Sequence, residues 1–352
     1  MERTAEPEVA KERPDYAGMP FAERMRQARS IYVKYPRANA VYEAIKEIHN
    51  YSLTDPEAEP RGLVIKGPSG VGKTMIGNRY LGEFPLREEE ERRFVPVLRV
   101  VMPESATVRG LASKMLKALG DPDADVGPRN SMTSRLETYI KKCGVQLIIA
   151  DEFQHLIHKQ NMHVMFEAAE WLKVLMDETK TPVALIGTPA CEQVLQADSQ
   201  IWSRFRRRKQ LLPFDWNTDK QKEAFGKFLQ ELDNRLPFND LAHLGDPDMA
   251  YRFYYATDGV IRLIVELLRT ACEIALKRKM ECLDLDILAK AFDKEIRQIF
   301  PKKENPFRDS NTQKPKIVQP KPVEANSGGT NRRVKAKKDR GPSASEVLKR
   351  RG

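Results

Sequence analysis

The sequence predicts an α/β fold: a mostly parallel five-stranded sheet with helices on both faces, then a small all-helical domain and a disordered basic tail. Three observations predict it. Short apolar runs alternate with longer amphipathic stretches as far as Trp216. Only helical patterns continue from there to about residue 300. Beyond Pro301 the chain is rich in Pro, Lys, Asn, Ser and Gly.

Residues 1–30 are charged with little period and are expected to be flexible. In YPRANAVYEAIKEI a helix is expected, with Ala40, Tyr42, Ile45 and Ile48 on one face. The expected strands are 63–67, 95–101, 146–151, 182–187 and a last one at 209–213. Helices are expected near 73–83, 107–119, 131–142, 163–179 and 189–197. This α/β domain spans 31–216. The helical domain, 217–300, carries a break at Asp258-Gly259, and the tail is 301–352.

No apolar run is long enough to cross a bilayer, and the amino terminus lacks a signal-peptide core. A cytoplasmic protein without membrane contact is expected. Cys143, Cys191, Cys272 and Cys282 lack CxxC pairing and read as reduced thiols. The tail holds fifteen Lys/Arg and five Asp/Glu, so it accounts for the whole net charge of +10. A nucleic-acid surface on the neutral body must therefore be a local patch.

GPSGVGKT, the run Gly67, Pro68, Ser69, Gly70, Val71, Gly72, Lys73 and Thr74, matches G-x-x-x-x-G-K-[ST] between an expected strand and an expected helix. Its glycines let backbone N–H groups curl around phosphate oxygens, and the helix amino terminus adds a positive dipole end. Lys73 would reach the β- and γ-phosphates of ATP, and the Thr74 hydroxyl would ligate Mg2+. LIIADE ends a buried strand in two carboxylates. Asp151 is placed to hold Mg2+ through water, and Glu152 to take a proton from the water that attacks the γ-phosphate. Thr188, ending PVALIG-T, can orient that water or cap the next helix. Arg262, three residues after Gly259, could reach back to the γ-phosphate from the helical domain. His155, His158 and His163 follow the acidic pair without metal-ligand spacing, so a polar loop is expected.

In this order, GPSGVGKT, LIIADE, IGTP, WSRFRRR and GVIR resemble an AAA+ ATPase. ADEFQHLI, IGTPACEQVL, DSQIWSRF and LLPFDW narrow the resemblance to the TniB/TnsC transposition ATPases, relatives of MuB, over roughly 35–300. One departure is Thr188, where asparagine is frequent. The resemblance implies an ATPase that forms rings or filaments on double-stranded DNA and recruits a transposase. Hydrolysis then disassembles the polymer, and a target-selection adaptor is an expected partner. It also implies an arginine that crosses to a neighbour's ATP, assigned to Arg204 with Arg206 as the fallback. Thr107, Arg109 and Lys114, after the second strand, are candidate DNA contacts or an ordinary solvated helix face. An AAA+ replication initiator or helicase loader is the alternative, and a P-loop kinase with a basic tail ranks third.

Overall fold

The computed structural model describes residues 14–308, apart from 17, 91–92, 103–106, 158–161 and 197–198. The first helices are α1 (Phe21–Ser30) and α2 (Pro36–Thr54). Helix α2 buries Ala38, Val41, Ala44, Ile45, Ile48 and His49. Ile45 and Ile48 thus face inward as expected, but Ala40 is exposed and Tyr42 half-buried. The buried stripe is set two residues earlier, at Ala38.

Then come β1 (Gly62–Lys66), α3 (Lys73–Gly82) and a two-residue hairpin, β2 (Arg87–Glu88) with β3 (Arg93–Phe94). They are followed by β4 (Val97–Val101), α4 (Val108–Leu119), α5 (Arg129–Lys142) and β5 (Leu147–Asp151). Helix α6 (Met162–Thr179), β6 (Val183–Gly187), α7 (Cys191–Gln196), α8 (Ser199–Arg204) and β7 (Arg207–Gln210) complete the α/β part. The sheet is parallel throughout, in the order β4-β5-β6-β1-β7. Strands β5 and β6 are buried at every position, as strands covered on both faces must be, which is why they read as unbroken apolar runs.

The fifth strand lies two residues before its expected place. Arg207–Gln210 pair with Leu63–Lys66 of β1, and the Leu211 N–H still donates to the Lys66 carbonyl at 2.8 Å. Edge strands tolerate charged side chains. The polar run RRKQ can therefore form a strand that no apolar pattern announces.

The helical part comprises α9 (Asp219–Asp233), α10 (Pro247–Thr257), α11 (Ile261–Lys277) and α12 (Leu285–Ile299). It belongs to the same compact unit as the sheet. Thr218 and Gln221 cap α9 reciprocally. Two expectations at the chain ends are corrected here. Within 1–30, helix α1 is formed and buries Arg24, Met25 and Ala28. Arg24 donates to the Pro237 carbonyl at 2.8 Å and to both Glu281 oxygens at 3.0 and 2.8 Å, which places α1 on the helical part. Within 301–352, Phe307 is 2% exposed and lies between Phe253 and Phe292, with ring centroids 5.3 and 6.4 Å away. Residues 309–352 lie outside the described residues.

All four cysteines are free, three of them buried. Among the described residues no helix is long and apolar enough to cross a membrane.

The turn between α10 and α11 sets where α11 begins. Asp258 and Gly259 have φ of 50° and 69°. The Phe214 N–H donates to the Gly259 carbonyl at 2.9 Å, and a Cβ on Gly259 would meet the Phe214 carbonyl at 2.3 Å. Both the left-handed backbone and the close approach require glycine here. Gly259→Ala should therefore lower stability by about 1–3 kcal/mol in urea denaturation. Gly82→Ala, where an added Cβ meets nothing within 4 Å, should leave it unchanged within about 0.5 kcal/mol.

Candidate phosphate site between the sheet and the helical lid

At the carboxyl end of β1 the chain enters the loop Gly67–Gly72. Gly70 and Gly72 adopt φ of 82° and 93°, and Gly72 is the residue from which α3 starts. That geometry turns successive N–H groups inward ahead of a helix amino terminus, a nest for an anion. Val71 is fully buried and anchors the loop. Lys73 is 7% exposed and donates from Nζ to the Gly67 and Pro68 carbonyls, both at 2.8 Å. Burial pushes its ammonium below the usual lysine range, and the negative charges of Glu152 and Asp151 act against that. The site holds a cation under strain of desolvation, ready for phosphate oxygens.

A cavity of about 390 Å³ opens above this loop, with Lys73, Thr74, Glu152, Thr188 and Arg262 in its wall. Two elements far apart in sequence close it. Strand β5 delivers the acidic pair. Asp151 is 1% exposed, and its Oδ1 accepts the Glu152 N–H at 2.9 Å. Glu152 has φ of 57°, a left-handed backbone that few non-glycine residues adopt. Helix α11 delivers the opposite wall: the Arg262 N–H donates to the Gly70 carbonyl at 2.9 Å. The Arg262 guanidinium is 66% exposed and pairs with Glu266 at 2.8 Å. Ile261, Val265 and Arg269 of the same helix, with Met75 and Asn78 of α3, extend the wall.

Two residues of the site went unread in the sequence. Gln154 donates from Nε2 to Glu152 Oε2, and its Oε1 accepts the Thr188 N–H at 3.0 Å. It thus joins the two strand ends, and a Cβ on neighbouring Gly187 would lie 2.7 Å from Gln154 Oε1. Arg99 of β4 donates from Nη2 to Asp151 Oδ2 at 2.6 Å. Its signal was available: one charged residue inside the apolar strand VLRVV.

Thr74 and Asp151 offer hard oxygen donors, which suits Mg2+. Among the described residues no group of three or more His, Cys, Asp or Glu could hold a metal. A divalent ion would need further oxygens from a bound phosphate and water. His155 Nδ1 lies 3.1 Å from the Met102 carbonyl, in a structural contact. His158 lies outside the described residues. Cys191, beside the site, is held as a thiol, because burial pushes it up to about 12.

Arg204 stands elsewhere. It is 16% exposed and pairs with Asp177 at 2.9 Å and with Glu59. With Arg206 and Arg207 it lines a second cavity at Gly62, where β1 begins. The phosphate loop lies at the other end of β1, about 16 Å away at 3.3 Å per residue. Arg204 therefore does not meet its own phosphate site. Within one chain its guanidinium is engaged by the Asp177 and Glu59 carboxylates. The fallback, Arg206, is exposed and forms no ion pair among the described residues.

The candidate DNA contacts are exposed, and each has a structural use. Thr107 caps α4 by accepting the Gly110 N–H at 3.1 Å. Arg109 donates to the Asp125 carbonyl at 3.1 Å, and Lys114 to the Val101 carbonyl at 3.2 Å. Arg109 and Lys114 diverge by about 140° around the helix, so they do not share a face.

Solved structures with a similar fold include ORC2 of Aeropyrum pernix in its ADPNP-ADP complexes, at 16% identity and a TM-score of 0.57, covering 76% of this chain and 71% of that one. Cdc6p of Pyrobaculum aerophilum matches at 12% identity and 0.56, covering 79% and 73%. ORC1 of Aeropyrum pernix in complex with DNA matches at 16% and 0.52, covering 77% and 69%. These likenesses show the fold alone: a parallel sheet carrying the phosphate loop, followed by a helical part. No curated protein matches the chain. The profile of the bacterial TniB proteins matches residues 24–214, more than half of the 352. With its phosphate loop, acidic strand end and following helices in this order, the chain belongs to the bacterial TniB protein family.

Proposed function

We propose that this protein is an ATP-dependent switch on double-stranded DNA: a regulatory ATPase that assembles on target DNA, recruits and activates a transposase, and disassembles on hydrolysis. One observation carries the reading. The cavity at the phosphate loop gathers Lys73, Glu152, Thr188 and Arg262, while the arginine cluster stands at the opposite end of β1. Arg262 stands at the cavity within the same chain, whereas an arginine of the cluster could reach a γ-phosphate only from a second copy of the chain.

The residues divide the work as follows. Lys73 exchanges the two loop carbonyls for β- and γ-phosphate oxygens, a better match for a partly desolvated ammonium. Glu152 accepts a proton from water as the water oxygen bonds to the γ-phosphorus and the bond to the bridging oxygen breaks. Gln154 fixes Glu152 relative to the Thr188 N–H, so base and water-binding edge keep one spacing. Mg2+ entering with ATP would neutralise phosphate charge, held by Thr74 and, through water, Asp151. Arg262 adds charge from the helical lid and ties the lid's position to the occupant of the loop.

TniB membership favours a transposase and a target-selection adaptor as clients. A replication-initiator reading shares the fold, and ORC1 was solved in complex with DNA. It differs in the client, so pull-down with a cognate transposase separates the two. Thr107, Arg109 and Lys114 remain the candidate DNA contacts, and binding through such phosphate contacts weakens steeply with salt.

Lys73→Ala should weaken ATP binding at least about tenfold and make DNA binding equal in ATP and ADP, measured by filter binding on duplex DNA. Equal DNA binding by the unaltered chain in ATP and ADP would sink the switch. Glu152→Gln should keep ATP binding, lower turnover by about 10²–10⁴-fold and leave DNA-bound assemblies that persist in electron micrographs. For the crossing arginine, Arg204→Ala and Arg206→Ala are each mixed with Glu152→Gln protein. The variant lacking the crossing group should by itself lose about 10³-fold of DNA-stimulated turnover without losing ATP binding, and the mixture should restore turnover, because the Glu152→Gln copy supplies its arginine to an intact Glu152. If neither does, no arginine of this cluster crosses.

A further inference from the structure

Arg99 is an unusual tenant of its strand. Its β4 neighbours Val97, Leu98 and Val100 are buried apolar residues, and an aliphatic side chain would serve packing as well. In the parallel register Arg99 pairs with Ile149 and Val101 with Asp151, so Arg99 starts two residues short of the acidic end. Its long side chain bridges that gap. It passes the face of α3, where a Cβ on Gly77 would lie 3.9 Å from Arg99 Nε. It ends on Asp151 Oδ2 at 2.6 Å, with side-chain exposures of 17% and 1%. Arg99 Nε is buried without a hydrogen-bond partner, a cost that packing alone does not explain.

The charges close by form a balanced set. Asp151 and Glu152 are two carboxylates, and Lys73 and Arg99 are two cations. Lys73 feels both carboxylates. Across the cavity Arg262 and Arg269 stand against Glu266, so what Arg99 decides is the balance at Asp151 itself. Without it the buried carboxylate would keep only the shared Lys73 as counter-charge, and a buried carboxylate opposes an incoming anion strongly. A divalent ion is the usual remedy. Here both Asp151 oxygens already accept from the chain, one from Arg99 and one from the Glu152 N–H.

We propose that Arg99 is the resident counter-cation of Asp151: it supplies from the chain the charge that a divalent ion would otherwise bring, so nucleotide binds without metal. The metal is then needed for turnover alone. Arg99 acts through Asp151 and is a positioning residue, not a catalytic one. The inference rests on the nucleotide reading of the phosphate loop and adds to it the separation of binding from metal loading.

The test is equilibrium binding of a fluorescent ATP analogue to the full chain, in EDTA and in Mg2+. The unaltered chain should bind with Kd values within about threefold of each other in the two conditions. Arg99→Gln should bind at least about tenfold more weakly in EDTA and recover in Mg2+, while Arg99→Lys keeps the unaltered pattern. A purely structural arginine predicts instead an equal loss in both conditions, and that result overturns the proposal. So does a tenfold dependence on Mg2+ in the unaltered chain, a measurement that stands even where Arg99→Gln does not fold. An unaltered chain that binds no analogue in either condition overturns the nucleotide reading itself.

Discussion

The hydrogen bond from the Arg262 N–H to the Gly70 carbonyl holds the site together. It is a main-chain bond, so it fixes where α11 begins whatever the side chains do. Behind it stands the Asp258-Gly259 turn, clamped to Phe214. From that origin the helical period does the rest. Residues 262, 265, 266 and 269 fall on one face and line the cavity, while Leu263, Ile264, Leu267, Leu268 and Ala271 are buried in the helical core. One helix thus serves as core element and cavity wall. Whatever displaces the phosphate loop must also move the lid.

The same loop sets the electrostatics. A buried lysine is costly unless donors and charges compensate it, and Lys73 meets two carbonyls of its own loop and two nearby carboxylates. Each of these contacts is weaker than a phosphate contact, because a carbonyl carries only partial charge and the carboxylates are engaged elsewhere. Asp151 is held by Arg99, and Glu152 by Gln154. The groups are satisfied singly, yet arranged so that an anion at the loop improves on them together. Preorganisation of this kind concentrates the response to ligand in few bonds.

What the sequence made legible follows the range of the interactions. The phosphate loop spans eight adjacent residues and the acidic pair two, and the central strands announce themselves because both faces are buried. Arg99 and Asp151 are 52 positions apart, and Gln154 and Thr188 are 34 apart, so neither partnership has a local signature. Helix α1 was hidden for a related reason. Its most buried polar group, Arg24, finds Glu281 at a separation of 257 residues, and a segment that buries arginine looks like a solvated one. Strand β7 was expected two residues late, because its charged start carries no apolar signal and an edge strand needs none. Arg204 shows the limit of reasoning by position. Its place along the chain was read correctly, but its partners Asp177 and Glu59 come from two other elements.

That pairing bears on how an assembly could control turnover. A parallel sheet is polar: the phosphate loop sits at one end of its strands, and Arg204 and Arg206 sit at the other. Two copies that bring unlike ends together form a heterologous contact, which closes into a ring or continues as a helix. On the proposed reading, Arg204 would have to leave Asp177 and Glu59 to reach a neighbour's phosphate, exchanging one set of charged partners for another. The net gain is then small until the neighbour is well seated, because an ion pair must be broken before a new one forms. Arg206 has no such partner to leave among the described residues and could engage on first contact. The two arginines thus correspond to two kinds of control. One would make hydrolysis follow contact, and the other would make it wait for the interface to settle.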